Sequence, residues 1–593
     1  MGENGLIKKA EQASDLTRKK AIEEQLSLIY AEQLMNGNSI STTKDVTDIL
    51  IDMVGSSKDI TQEDIDEFNE ILSNFGDKVI TVSTKNDIAK IGTDEEYPLD
   101  GIYIQLNNIT FEADEQVNPI GMKDIPFTGI YNGQNKTING ISINITNENA
   151  GMFGVNEGTI KNVKIENYEI VTGYSKSGTI AGVNSGIIIN CSTNNGNILS
   201  TITDYSNMAE LGGICGYNCD NGIIKNCTNY SNVTGSGKLI GGICGYNLGG
   251  DIESCYNYGI VKGTYQVGGI VGDSQGINEN NITYLKKCVN EGNVTGINSD
   301  VAYGQVGGVV GCNFKYSIID DNINKATVES NATYHGGIAG VNFYIIENCI
   351  NTGEVKNTGT NTTYIGGIVG NSAGKISNSY NTASVSGTME SSNFIGGIVG
   401  HIGAINPILE NSVNECYNIG NVSGNNFIGG IAGRIYANAY INSCYNNIGN
   451  ITGNSFVGGI AGDTSSNSIG IANSYNKGNN IKATTNFVGG IAGVIRSKTE
   501  NCYNTGTVSL ESTNTRIGAL FGAVISLSND KIVNCYYLNT SCEKAIGNEQ
   551  ETGIVEGAIS KTNEKMQNLE TLLGNEYKSN TENDKYPKLI WEK

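Results

Sequence analysis

Ile-Gly-Gly-Ile-Cys-Gly at 240–245 returns as Ile-Gly-Gly-Ile-Val-Gly at 365–370 and as Val-Gly-Gly-Ile-Ala-Gly at 457–462. Intact glycine pairs stand at Gly212 and Gly213, Gly241 and Gly242, Gly268 and Gly269, Gly307 and Gly308, and Gly336 and Gly337. The series continues at Gly366 and Gly367, Gly396 and Gly397, Gly429 and Gly430, Gly458 and Gly459, and Gly489 and Gly490. Weaker copies occur at Gly151, Gly178 and Gly518, and neighbouring intact pairs are 27 to 39 residues apart. A fixed period of this size belongs to a stacked repeat, not to a string of separate domains.

The other half of each period is also a template, as in Glu-Cys-Tyr-Asn-Ile-Gly-Asn-Val at 415–422 and Asn-Cys-Tyr-Asn-Thr-Gly-Thr-Val at 501–508. Short β-prone runs separated by Gly and Asn turns leave no room for a helix. The spacing predicts a mainly β protein, a right-handed parallel β-solenoid of about 13–15 coils with a small N-terminal helical region. Coils stacked about 4.8 Å apart make every template position a ladder, and thirteen of them span roughly 60 Å. The expected division is a helical stem region over 1–78, first coils over 79–150, the repeat solenoid over 151–542 and a C-terminal cap over 543–593.

Composition narrows the function. The chain carries a net charge of −22 with 17% charged residues, so clustered Lys and Arg for phosphate binding, and hence nucleic acid, are not expected. Cys191, Cys227, Cys255, Cys288, Cys349, Cys416, Cys444, Cys502 and Cys535 share one template position, where Ser379 and Ser474 also occur. Cys exchanging with Ser points to a buried ladder of small side chains, not to a disulfide framework or a zinc site. Asn229, Asn257, Asn290, Asn351, Asn381, Asn418, Asn446, Asn476 and Asn504 make a further row, read as turn residues whose amides can stack along the rod. Strict alternation through the glycine motif puts the aromatics Tyr334, Tyr364, Phe394, Phe427, Phe456 and Phe487 on the side of Ile368 and Ile398. The opposite side takes Ile365 and Ile395.

Chemistry is sparse. His335 stands where other repeats have Ile or Val, and His401 follows a motif glycine. Neither has a Ser, Cys or Glu at a catalytic spacing. Asp273, Asp320, Asp321 and Asp463 are the carboxylates a glycan-processing β-helix enzyme would draw on, yet they fall at different template positions. No residue is assigned a catalytic, cofactor or metal role, and the paired glycines are read as structural.

Apolar stripes predict helices over 5–36 (Ile22, Leu26, Ile29, Tyr30), over 43–54 (Val46, Ile49, Leu50, Met53, Val54) and from Thr61 (Ile65, Phe68, Leu72, Phe75). A short helix is expected over 559–574. Residues 2–13, Gly-Glu-Asn-Gly-Leu-Ile-Lys-Lys-Ala-Glu-Gln-Ala, resemble the segment that follows the membrane helix in type IV pilin-like proteins of Gram-positive bacteria. The leader and apolar helix of that family are not in this sequence, so membrane contact is expected only through a segment outside it. The run 127–140, the glycine motifs and Asn-Asp-Lys-Tyr-Pro-Lys-Leu-Ile-Trp at 583–591 resemble bacterial GLUG-repeat β-solenoids. That resemblance, over residues 80 to 593, implies an extracellular or cell-surface setting without an activity. The expectation is a non-enzymatic adhesin or pilin-like filament subunit. Its partners would be other copies or pilus-like subunits met through the N-terminal helix, or a glycan, host or abiotic surface. The alternative is a polysaccharide lyase or hydrolase.

Overall fold

The computed structural model describes residues 79–592 apart from 113–114, 146–148, 174–175, 201–208, 298–303, 391–392, 405–408, 514–515, 526–531, 550–556 and 582–584. The three helices expected within 1–78 lie outside the described residues. What the repeat builds is a parallel β-solenoid of about 14 turns, 54% strand and 3% helix. One turn shows the plan. After Gly241-Gly242 the chain runs along face I as Cys244–Leu248, face II as Asp251–Glu253 and face III as Tyr256–Asn257. Face IV holds two strands, Val261–Gly263 and Gln266–Gly268, the latter ending on the next motif. Each strand pairs in parallel with its counterpart one turn on, for example Cys244 with Val271 and Val261 with Val294.

The three motif glycines each answer a different crowding problem. A methyl on the first, as at Gly396, would overlap the Val399 carbonyl of its own tight turn. A methyl on the second, Gly397, would strike the Gly430 carbonyl and the Asn418 amide. The third, Gly400, lies against the backbone N of Ile365, so faces I and IV meet there backbone to backbone. Only Gly permits such approach.

That corner corrects the alternation reading. Ile395, Ile398 and Val399 are all fully buried, because the chain bends at Gly396-Gly397 instead of continuing as one pleated strand. The aromatic row then points outward on its own.

The Asn row keeps its expected amide stacking but not its turn role. None of its members has positive φ; all point inward and are buried. Up to Asn504, whose Nδ2 turns to the Ala519 carbonyl, each Nδ2 donates to the next Oδ1: Asn229 to Asn257 at 2.8 Å, Asn381 to Asn418 at 2.8 Å, Asn476 to Asn504 at 2.7 Å. Asn324, outside the predicted row, completes it by bonding Asn290 and Asn351. The second amide hydrogen goes to the carbonyl two residues on, as Asn418 to Gly420 at 2.8 Å, so no buried donor is stranded. Ten Asn face the ten second glycines across the core, from Gly213 with Asn229 to Gly490 with Asn504. The turn role belongs to a different row, with left-handed φ at Asn162, Asn190, Asn226, Asn348, Asn378, Asn473, Asn501 and Asn534, where Asn is tolerated.

The cysteine ladder follows directly after that row. All nine thiols are free and buried, and Cys227 and Cys502 Sγ donate to the carbonyls of Lys225 and Glu500 at 3.3 and 3.1 Å. Ser474 and Ser379 make the same bond, to Ala472 at 2.7 Å and Ser377 at 2.8 Å. Shared geometry explains the exchange.

The end of the chain departs from the expected single helix over 559–574. It forms a strand, Ala558–Lys561, and two short helices, Asn563–Met566 and Glu570–Leu573. This segment doubles back along the flank of face III. Met566, Leu569, Leu573, Tyr577 and Leu589 bury Tyr475, Tyr503 and Tyr536, and Trp591 reaches the Ser443 carbonyl at 3.0 Å.

Candidate functional site at the glycine corner

Because the motif bends inward, outward side chains from face IV and face I converge along the rod. Residue i of face IV meets residue i+7 of face I. Gln266 Nε2 donates to Asp273 Oδ2 at 2.6 Å, the Phe394 ring lies 6.1 Å from His401, and the Arg434 guanidinium lies 6.0 Å over Phe427. The result is a seam with two chemically distinct halves.

The downstream half is a ridge of six rings. Centroids from Tyr334 through Tyr364, Phe394, Phe427 and Phe456 to Phe487 are 5.2, 4.9, 4.8, 4.6 and 4.9 Å apart, with interplanar angles of 8–27°. All six are half-buried. Stacking consumes the ring faces, so the edges look outward, and ring edges carry the positive end of the aromatic quadrupole. Phe427, Phe456 and Phe487 hold φ of 55°, 57° and 47°, a costly region for bulky residues that persists only where surroundings over-determine it.

Arginine is concentrated here. The chain has four, at 18, 434, 496 and 516, and the last three border the ridge. Arg516 stands 4.6 Å over Phe487, while Arg434 Nε (3.3 Å) and Arg496 clasp the buried Asp463. Burial pushes the Asp463 carboxyl up against the pull of Arg496 and Arg434. His401 is pushed down to about 4 by burial and then by Arg434, so it stands neutral, its Nδ1 2.9 Å from Asn371 Oδ1.

The upstream half is polar. Glu210 lies 3.8 Å from Lys176, whose ammonium sits 3.5 Å over Tyr217. Burial pushes Glu210 up to about 7 despite Lys176. Asp273 is likewise pushed up to about 7 by burial, with Gln266 opposing, and its Oδ1 has no hydrogen-bond partner.

The predicted candidates are thus dispersed. Asp273 and Asp463 share the outward row of face I but stand six rungs apart, about 29 Å along the axis. Asp320 ends a face II strand and Asp321 takes the left-handed turn after it. His335 is a fully buried core residue paired in register with Val306 and Ile365. Among the described residues no three His, Cys, Asp or Glu side chains gather as metal ligands, and no helix is long and apolar enough to cross a membrane. Arg434, Arg496, Arg516, Glu210 and Lys176 escaped the sequence reading. The clustering of arginines after residue 433 was the available signal.

Face III carries a second aromatic column, which behaves differently. Tyr380, Tyr417, Tyr445, Tyr475 and Tyr503 stack at 4.6, 5.0, 5.0 and 4.7 Å. The C-terminal segment lies along its downstream part. Tyr475 Oη donates to Glu592 at 2.9 Å, Tyr577 Oη donates to the Asn501 carbonyl at 2.9 Å, and the Trp591 ring lies 5.6 Å from Tyr445.

No family model matches the chain, and no curated protein does. Among solved structures, one from Bacteroides ovatus described as a "putative immunoglobulin A1 protease" is similar at 21% identity. The match covers 42% of this chain and 76% of that one with a TM-score of 0.34, too low to carry an argument.

Proposed function

We propose that this chain is a non-enzymatic rod displayed at a bacterial cell surface, binding a partner through the ridge from Tyr334 to Phe487. The observation that carries the reading is the contrast between the two aromatic columns. Leucines, Met566 and Trp591 of the chain itself lie on the downstream part of the tyrosine column, whereas no described segment of the chain lies across the six half-buried rings of the ridge. A contiguous row of partly exposed rings is the kind of apolar surface that supports an interaction site. The GLUG-like repeat supports the setting, and the pilin-like opening supports display on a stem. Ring faces already stacked on one another leave little for a sugar to lie upon, so the ridge suits a protein surface better than a glycan.

The test is retention of beads coated with the full chain on host-cell layers, bacterial cells and glass. A chain carrying Phe394→Ser and Phe456→Ser should lose retention on at least one of these; equal retention on all would sink the reading. A second reading rests on Glu210 and Asp273, two near-neutral carboxyls two rungs apart, about 10 Å along the axis. Release of reducing or unsaturated sugars from polysaccharide, lost in Asp273→Asn, would establish it.

A further inference from the structure

We propose that the ridge is occupied by the acidic segment 59–77 of a second copy of this chain, so that copies associate through it. The inference rests on the ridge being a binding surface and adds the identity of what binds. Three observations converge on it.

The first is charge. The molecule is acidic overall at −22, yet at the ridge Arg434 and Arg496 share one carboxylate, Asp463, and Arg516 stands over Phe487. Outward ring edges add to the positive potential. Residues 59–77 carry Asp59, Glu63, Asp64, Asp66, Glu67, Glu70 and Asp77 with no Lys or Arg.

The second is apolar chemistry. Ile65, Phe68, Leu72 and Phe75 recur at helical spacing in that segment, giving one apolar stripe between acidic flanks. The chain's own tyrosine column shows what such a column accepts: Met566, Leu569 and Leu573 from short helices, with the Glu592 carboxylate taking the Tyr475 hydroxyl.

The third is reach. Val79 begins face II, and the ridge starts eight rungs further on and ends at thirteen, about 38 to 62 Å away. If 59–77 were helical, as its apolar spacing predicts, it would reach about 27 Å from Val79. It falls short of its own ridge. A helical segment is therefore assigned to the ridge of another copy, in a contact whose donor and acceptor surfaces differ, so that it closes by reciprocal exchange or as a ring, or else propagates.

The experiment is sedimentation velocity on the full chain over a concentration series, together with anisotropy of a labelled 59–77 peptide titrated with the same chain. Association that grows with concentration, weakens with salt, and drops at least ten-fold in Arg434→Glu/Arg516→Glu is expected, with parallel loss of peptide binding. A 59–77 peptide carrying Asp66→Lys/Glu67→Lys should in turn bind that variant, which a misfolded ridge would not allow. A monomer at all concentrations that ignores the peptide overturns the proposal, as does association indifferent to the arginine changes. Saturable binding of a polyuronate with no binding of the peptide also overturns it, while leaving the ridge as a binding surface.

Discussion

His335 shows at single-residue scale how far a repeat tolerates an exception. It occupies a core rung between Val306 and Ile365 with both ring nitrogens unpartnered, and burial pushes it down to about 3. A buried unsatisfied polar group costs roughly 1–3 kcal/mol, so His335→Ile should raise the melting temperature. Between pH 3 and 6.5 the unfolded chain protonates this His and the folded chain does not, so its contribution makes stability fall as pH drops. The Ile variant should flatten that slope in melts recorded from pH 4 to 7. Gly397→Ala should do the reverse, costing about 3 kcal/mol or more by forcing a methyl into Asn418 and the Gly430 carbonyl; melting of the purified variant measures it. The presence of a ladder at each of these positions was legible from spacing alone. Which asparagine turns the chain and which spans the core was not, because one side chain type serves both roles and only φ separates them.

Among the elements, the glycine corner is where strand logic stopped working. Period-2 alternation holds within a pleated strand, and the Gly396-Gly397 bend interrupts it, so the sequence could not assign the aromatics to the outside. The seam was hidden for the same reason: its partners sit seven apart across a bend, a spacing that belongs to neither strand nor helix. Its carboxyls give it a pH signature. Asp273 is raised in the folded state, so between its usual value and about 7 the folded chain holds the proton that the unfolded chain releases, and stability falls as pH rises through that window. Asp273→Asn should be more stabilising at pH 8 than at pH 4, read from paired melts. The C-terminal segment offers its own reporter, since Trp591 is the only tryptophan and lies against Tyr445 and Tyr417. Leu569→Ser with Leu573→Ser should loosen the segment, shifting Trp591 emission to the red at denaturant concentrations that leave the strand signal intact. Unchanged emission would mean the two leucines do not hold it down.

For the whole molecule, the thiols test the architecture. Fourteen cysteines are all free, and only Cys542 is less than fully buried. Thiol titration of the native chain should label Cys542 first, and unfolding should release the full fourteen without added reductant; a shortfall would reveal bridges and contradict the ladder. Coil count and rod form followed from the repeat period because each turn contacts chiefly its neighbours. The lateral lie of the last thirty residues did not, since nothing local in their sequence points to a flank several turns back. The amide spine has a last consequence, for length. Every Asn between its two ends bonds to an identical Asn above and below, so excising one complete unit of the repeat, or duplicating one, leaves cut ends that still match. The protein is built like a ruler graduated in single units, and its descendants can lengthen or shorten without redesigning a joint.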